Sequence, residues 1–177
     1  EPHHLTTCIA MFDAVPRAGF ARTGVFVESP MHPSRYEEMT ATIPTNLAIR
    51  REVFDFVGGF GEAEPFRRLH SMEDSWLAFL IMKRFIQVRT DTKTVVHGWR
   101  EGNQLHRRHT LNQTPATKIA DVSWMTPAQR EARSDVLALL AQYDEELMAM
   151  DLFVAPAGGY AFRNGEPNKF LLAMRYN

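Results

Sequence analysis

Cysteine is nearly absent: Cys8 stands alone in 177 residues, so neither an intramolecular disulfide nor a multi-cysteine zinc site can form. That scarcity fits a reducing, cytoplasmic setting, with membrane association only through a partner or a segment outside the sequence. Charge excess is missing as well. Twenty Lys and Arg against 21 Asp and Glu leave a formal charge of −1, which provides no global field to hold nucleic acid or an anionic membrane. Long hydrophobic runs are also lacking. The longest, Trp76 to Met82, is far short of the ~20 residues that span a bilayer, and no signal-peptide pattern opens the chain, which begins at Glu1. What remains is an ordinary globular composition, 45% apolar and 23% charged, enough for one medium domain and too little for two complete enzymatic ones. No internal repeat or low-complexity run is visible.

Along the chain, Thr6 to Phe12 and Gly24 to Glu28 read as strands, rich in β-branched and apolar residues. Pro30 to Tyr36 reads as a proline-punctuated loop entering a short helix at Ser34, and Ile43 to Ile49 as extended. Val53, Phe54 and Val57 then recur at helical spacing, stopped by Gly58 and Gly59. Glu73 to Phe85 is apolar nearly all round, with acids in its first turn and Lys83 and Arg84 in its last, as expected of a helix packed on both sides. Gln87 to Thr90 and Lys93 to His97 read as a strand pair around Asp91, and Gly98 to Ala120 as a polar mobile loop. Thr126, Pro127 and Gln129 form a capping-box start for an amphipathic helix with the stripe Val136, Leu137, Leu140, Tyr143, Leu147 and Met148. Tyr160 to Arg163 is a hairpin arm leading to Phe170 to Met174.

Between Pro44 and His109 four pieces follow one another: PTNLAIRREVF, GGFGE at Gly58 to Glu62, EDSWLAF at Glu73 to Phe79 and VVHGWR at Val95 to Arg100. Each is weak alone, since paired acids also serve as helix-dipole complements and Gly-Gly as a helix C-cap. In this order and spacing they resemble the acceptor half of family 2 glycosyltransferases of the GT-A fold, over roughly residues 42 to 109. Two positions depart from that pattern: Gly61 stands where an acid is usual before Glu62, and Thr45 replaces a glycine before Asn46.

The chemistry explains such residue types. Transfer of a sugar from a nucleotide-diphosphate donor needs a base for the acceptor hydroxyl and positive charge on the departing diphosphate. The resemblance implies Asp74 as base, with Glu73 orienting the acceptor or bracing a loop. The Gly58-Gly59-Phe60 turn would let backbone approach the donor sugar, and Asn46 would bind a sugar hydroxyl or act as a local cap. His97, at a strand end, would complete coordination of a divalent cation, Mn or Mg, or serve as a structural donor. Trp99 and the cations Arg100, Arg107 and Arg108 lie on the following polar stretch, as a phosphate-clamping lid or as a solvated loop. A metal-hydrolase site of His97, His106 and His109 matches no helical zinc spacing.

The sequence contains no Asp-x-Asp and no run of βα units ahead of Thr6, so the resemblance implies a donor half outside this chain, with the cation expected only in its presence. The Gln-x-x-Arg-Trp motif of processive synthases is absent. The expected partners are a nucleotide-sugar donor, a carbohydrate acceptor, and either a second copy or a donor-half partner at an exposed sheet edge. The alternative is a non-catalytic carbohydrate- or protein-binding module. The expected fold is α/β: a partial GT-A-like mixed sheet flanked by helices over residues 1–120, and a C-terminal amphipathic helix and tail over 121–177 packed on it.

Overall fold

A computed structural model describes residues 1–69, 71–98, 100–101, 109–115, 122, 125–149, 152–154 and 160–162. The fold is α/β, a three-stranded mixed sheet flanked by helices. Its elements are α1 (His4–Ala14), β1 (Ala18–Val27), α2 (Pro33–Thr42), a 3-10 turn (Pro44–Asn46), β2 (Leu47–Ile49), α3 (Arg51–Phe56), α4 (Glu64–Leu69), α5 (Glu73–Arg84), β3 (Ile86–His97), α6 (His109–Asn112) and α7 (Pro127–Ala149), then a small ribbon of β4 (Leu152–Val154) and β5 (Tyr160–Phe162).

β1 is the central strand, antiparallel to β2 and parallel to β3. Buried from Ala18 to Val25, it carries Phe20 and Arg22 toward one face and Thr23 toward the other. On the first face Phe20 joins Val53, Phe56, Leu77, Leu80 and Ile81 in the core. On the second lies α1, where His4 hydrogen-bonds Thr94 Oγ1 through Nδ1 at 2.7 Å.

Three strand expectations are corrected. Thr6 to Phe12 is helical because Cys8 and Met11, one turn apart, are buried while β-branched Thr6 and Ile9 face outward; tertiary packing overrides local propensity. The Gly24 strand begins earlier, at Ala18. Gln87 to Thr90 and Lys93 to His97 are not a hairpin but one strand, β3, bulged at its middle. Arg22 pairs with Arg89 and Gly24 with Lys93, so β3 advances four residues where β1 advances two. Thr90 Oγ1 accepts from Thr92 N inside the bulge. The bulge drives the Asp91 carbonyl to 2.4 Å from where a Cβ on residue 24 would stand, which is why that residue is glycine.

Ile43 to Ile49 is extended only from Leu47 onward, because Pro44 opens a 3-10 turn. The proline loop becomes helix α2, capped by His32, whose Nδ1 accepts from Ser34 N. α3 ends in a Schellman motif: Gly58 N donates to Asp55 O and Gly59 N to Phe54 O, with both glycines at φ near 78°.

α4, α5 and α7 are joined by an aromatic stack, Phe66 to Trp76 at 5.1 Å and Trp76 to Tyr143 at 5.0 Å. The ion pairs Arg68–Asp135 and Lys83–Asp144 border it. The capping box at the start of α7 is formed, with Thr126 N to Gln129 Oε1 at 3.0 Å and Gln129 N to Thr126 Oγ1 at 3.2 Å. The buried line of α7 is Ala132, Val136, Tyr143 and Leu147, whereas Leu137 and Met148 are exposed, so the stripe is narrower than the hydrophobic pattern suggests. β5 pairs with β4; the Phe170 to Met174 arm expected for it lies outside the described residues. No described helix is long and apolar enough to cross a membrane.

Candidate functional site

α5 ends one residue before β3 begins, so it runs back along the sheet and its first turn lies toward the carboxyl end of the parallel β1–β3 pair. In parallel α/β layers that end collects ligand-binding groups, because the loops that leave the strands converge there. Glu73 and Asp74 open α5. Glu73 is exposed. Asp74 is half-buried, its Oδ1 accepting from Ser75 N at 2.6 Å and Ser75 Oγ at 3.3 Å. Oδ2 accepts no hydrogen bond among the described residues. The residue before the helix, Met72, has φ 78° and supplies no side-chain cap.

Asn46, expected to bind a sugar hydroxyl or to act as a local cap, lies in the interior. It is fully buried, its Nδ2 donating to Thr23 O at 2.8 Å and Thr40 O at 3.1 Å, and its Oδ1 accepting from Arg22 Nη1 at 2.9 Å. With these groups engaged, Asn46 acts through Arg22 and not on solvent-borne ligand.

Arg22 is the functional candidate that sequence reading missed. Reading the strand from Gly24 left it out, yet the period of two that puts Phe20 in the core puts Arg22 beside it. Its Nη1 also donates to Thr40 O and Ile43 O. Burial lowers its pKa to about 10, the positive charge of Arg89 adds to the drop, and the field of Asp74 opposes it. Asp74 and Arg22 thus sense one another although no ion pair joins them directly. Tyr36 of α2 closes the neighbouring strand edge by donating to Val25 O at 2.6 Å and accepting from Val25 N at 3.2 Å.

The glycine turn is a packing element. A Cβ on Gly59 would sit 2.9 Å from the Phe54 ring, and one on Gly61 2.5 Å from the Phe66 ring. Phe60 stacks edge-on against Phe54. Among the described residues no hydrogen bond or ring contact ties the turn to Asp74 or His97.

His97 closes β3 opposite Val27, its carbonyl accepting from Glu28 N at 3.4 Å. Burial lowers its pKa, so its ring is neutral at pH 7. Among the described residues no three His, Cys, Asp or Glu side chains converge to hold a metal ion. Arg100 is exposed, and Trp99, His106, Arg107 and Arg108 lie outside the described residues. The far end of this stretch is tied down by buried Arg35 of α2, which donates to Thr114 O at 3.4 Å and Pro115 O at 3.3 Å.

No family model, no curated protein and no solved structure matches the chain.

Proposed function

We propose that this chain is the acceptor-side portion of an inverting, non-processive glycosyltransferase, with Asp74 as the base that takes the proton from an acceptor hydroxyl. The observation that carries the reading is Asp74 itself: a half-buried carboxylate at the head of α5, at the carboxyl end of a parallel strand pair, whose Oδ2 accepts no hydrogen bond among the described residues. The ordered motifs from Asn46 to His97 support it, and so does the buried cation Arg22 within its field.

Chemically, as the carboxylate takes the hydroxyl proton the acceptor oxygen bonds to the anomeric carbon on the face opposite the nucleotide diphosphate, whose bond to that carbon breaks, and the anomeric centre is inverted. Glu73 stands beside it, exposed, where it can receive further acceptor hydroxyls. No step is assigned to a metal or to His97.

The test is nucleotide-sugar turnover by the full-length protein carrying Asp74→Asn. The change keeps size and an acceptor oxygen while removing the base, so kcat should fall by about a hundredfold or more. Retained turnover rules the assignment out. No donor binding, together with measurable carbohydrate or protein binding, assigns the chain instead to the non-catalytic module.

A further inference from the structure

Arg22 carries an unresolved polar requirement at the heart of the site. Its side chain is 1% exposed, and Nη1 is fully occupied by Thr40 O, Ile43 O and Asn46 Oδ1. Nε and Nη2 have no hydrogen-bond partner among the described residues. These two nitrogens form the side-on edge of the guanidinium, two parallel N–H groups spaced to receive one carboxylate. Buried donors are almost always satisfied, so an idle fork at such depth points to a partner that is elsewhere in this conformation.

The neighbourhood names that partner. α2 and the 3-10 turn present carbonyls and the Asn46 amide to Arg22, β3 presents the like charge of Arg89, and α5 presents Asp74, the acid whose field favours the cation. Asp74 is turned onto its own helix, held among the described residues by Ser75. Two residues before Asp74 stands Met72, the one non-glycine residue with positive φ among the described residues, at the head of a helix without a side-chain cap. Backbone strain of this kind marks places where the chain has a second arrangement.

We propose that Arg22 is a positioning residue for Asp74: its open Nε–Nη2 edge is a second berth for the Asp74 carboxylate, reached from the Ser75-bound position as the first turn of α5 adjusts around Met72. Docked there, the carboxylate is freed from its own backbone, and of its four lone-pair sites two remain for a ligand hydroxyl. The functional value of the berth rests on the reading of Asp74 as base; the berth itself does not.

The experiment follows the Arg22 Nε–H resonance in the 15N-labelled full chain, assigned with Arg22→Lys, as pH is lowered through the carboxylate range. In the unmodified chain the signal moves with protonation of Asp74; in Asp74→Asn it stays still. A signal that ignores acidification, or moves equally in Asp74→Asn, overturns the berth. In kinetics, Arg22→Lys keeps the charge and loses the fork, so kcat falls about tenfold with acceptor KM within about twofold; equal loss in both parameters, with an unmoved resonance, marks a purely structural role. A moving resonance in a protein without transfer activity keeps the berth and removes the transferase reading, and a still resonance in an active transferase does the reverse.

Discussion

Replacing Asn46 by alanine removes three hydrogen bonds from a site with no access to water: 2.9 Å from Arg22 Nη1, 2.8 Å to Thr23 O and 3.1 Å to Thr40 O. The first involves a charged donor and is worth about 1.5–3 kcal/mol; the other two contribute about 1 kcal/mol each. Arg22 Nη1 keeps the Thr40 and Ile43 carbonyls, which softens the loss. The expected destabilisation is about 3–4 kcal/mol, a large share of the 5–15 kcal/mol typical of a folded domain. In urea unfolding, with a slope of about 2 kcal/mol/M, the midpoint moves down by about 1.5–2 M while the slope stays constant. Asn46→Asp keeps the acceptor for Arg22 but turns both donors into acceptors facing carbonyls, so it falls between wild type and Asn46→Ala. A loss below about 1 kcal/mol for Asn46→Ala would refute the view that this amide organises β1, α2 and the 3-10 turn around Arg22.

Gly24→Ala forces a methyl group to 2.4 Å from the Asp91 carbonyl oxygen and 2.9 Å from its carbon, both backbone atoms. The clash costs about 2 kcal/mol or more, and a thermal melt should fall by about 4–8 °C; an unchanged melt would show that the bulge yields freely. His4 and His97 both titrate below the usual 6.5 in the folded chain, His97 through burial and His4 through burial first, then the N-terminal charge and His3. The unfolded chain therefore binds protons first as pH falls, so stability is complete above about pH 6.5 and declines below it. Calorimetric melts at pH 7.5, 6.5 and 5.5 should drop in that order. His4→Gln with His97→Gln should flatten the decline, and an undiminished slope in that double variant contradicts the assignment.

The elements legible in the sequence are those whose signals are local. The capping box at Thr126 and Gln129 needs only four residues to declare itself, and it forms as expected. Gly58 and Gly59 mark the end of α3 because the left-handed backbone they adopt is costly for other residues. Acids at Glu73 and cations at Lys83 and Arg84 bracket α5 through the helix dipole. What stayed hidden depends on distant partners. Thr6 and Ile9 favour a strand in isolation, and only the contact of Cys8 and Met11 with the sheet makes α1 a helix. Nothing near Asp91 says that β3 continues through it, since the constraint is the approach of Gly24 across the sheet. Within the site, the position of Asp74 on its helix was readable from its neighbours. The burial of Asn46 and the presence of Arg22 behind it were not, because the hydrogen bonds that Arg22 makes span 18 to 24 residues.

The mid-strand bulge of β3 has one more consequence, for how molecules of this chain meet. The outer side of this edge strand would otherwise offer twelve residues of backbone as a template for another strand. The kink interrupts that template, and Thr92 N–H is already spent on Thr90. What is left on either side, Ile86–Arg89 and Lys93–His97, is two short tracts out of line with each other. Ribbon-like stacking of copies into fibrils is thereby denied a continuous seam, a safeguard set in the same backbone that requires glycine at position 24.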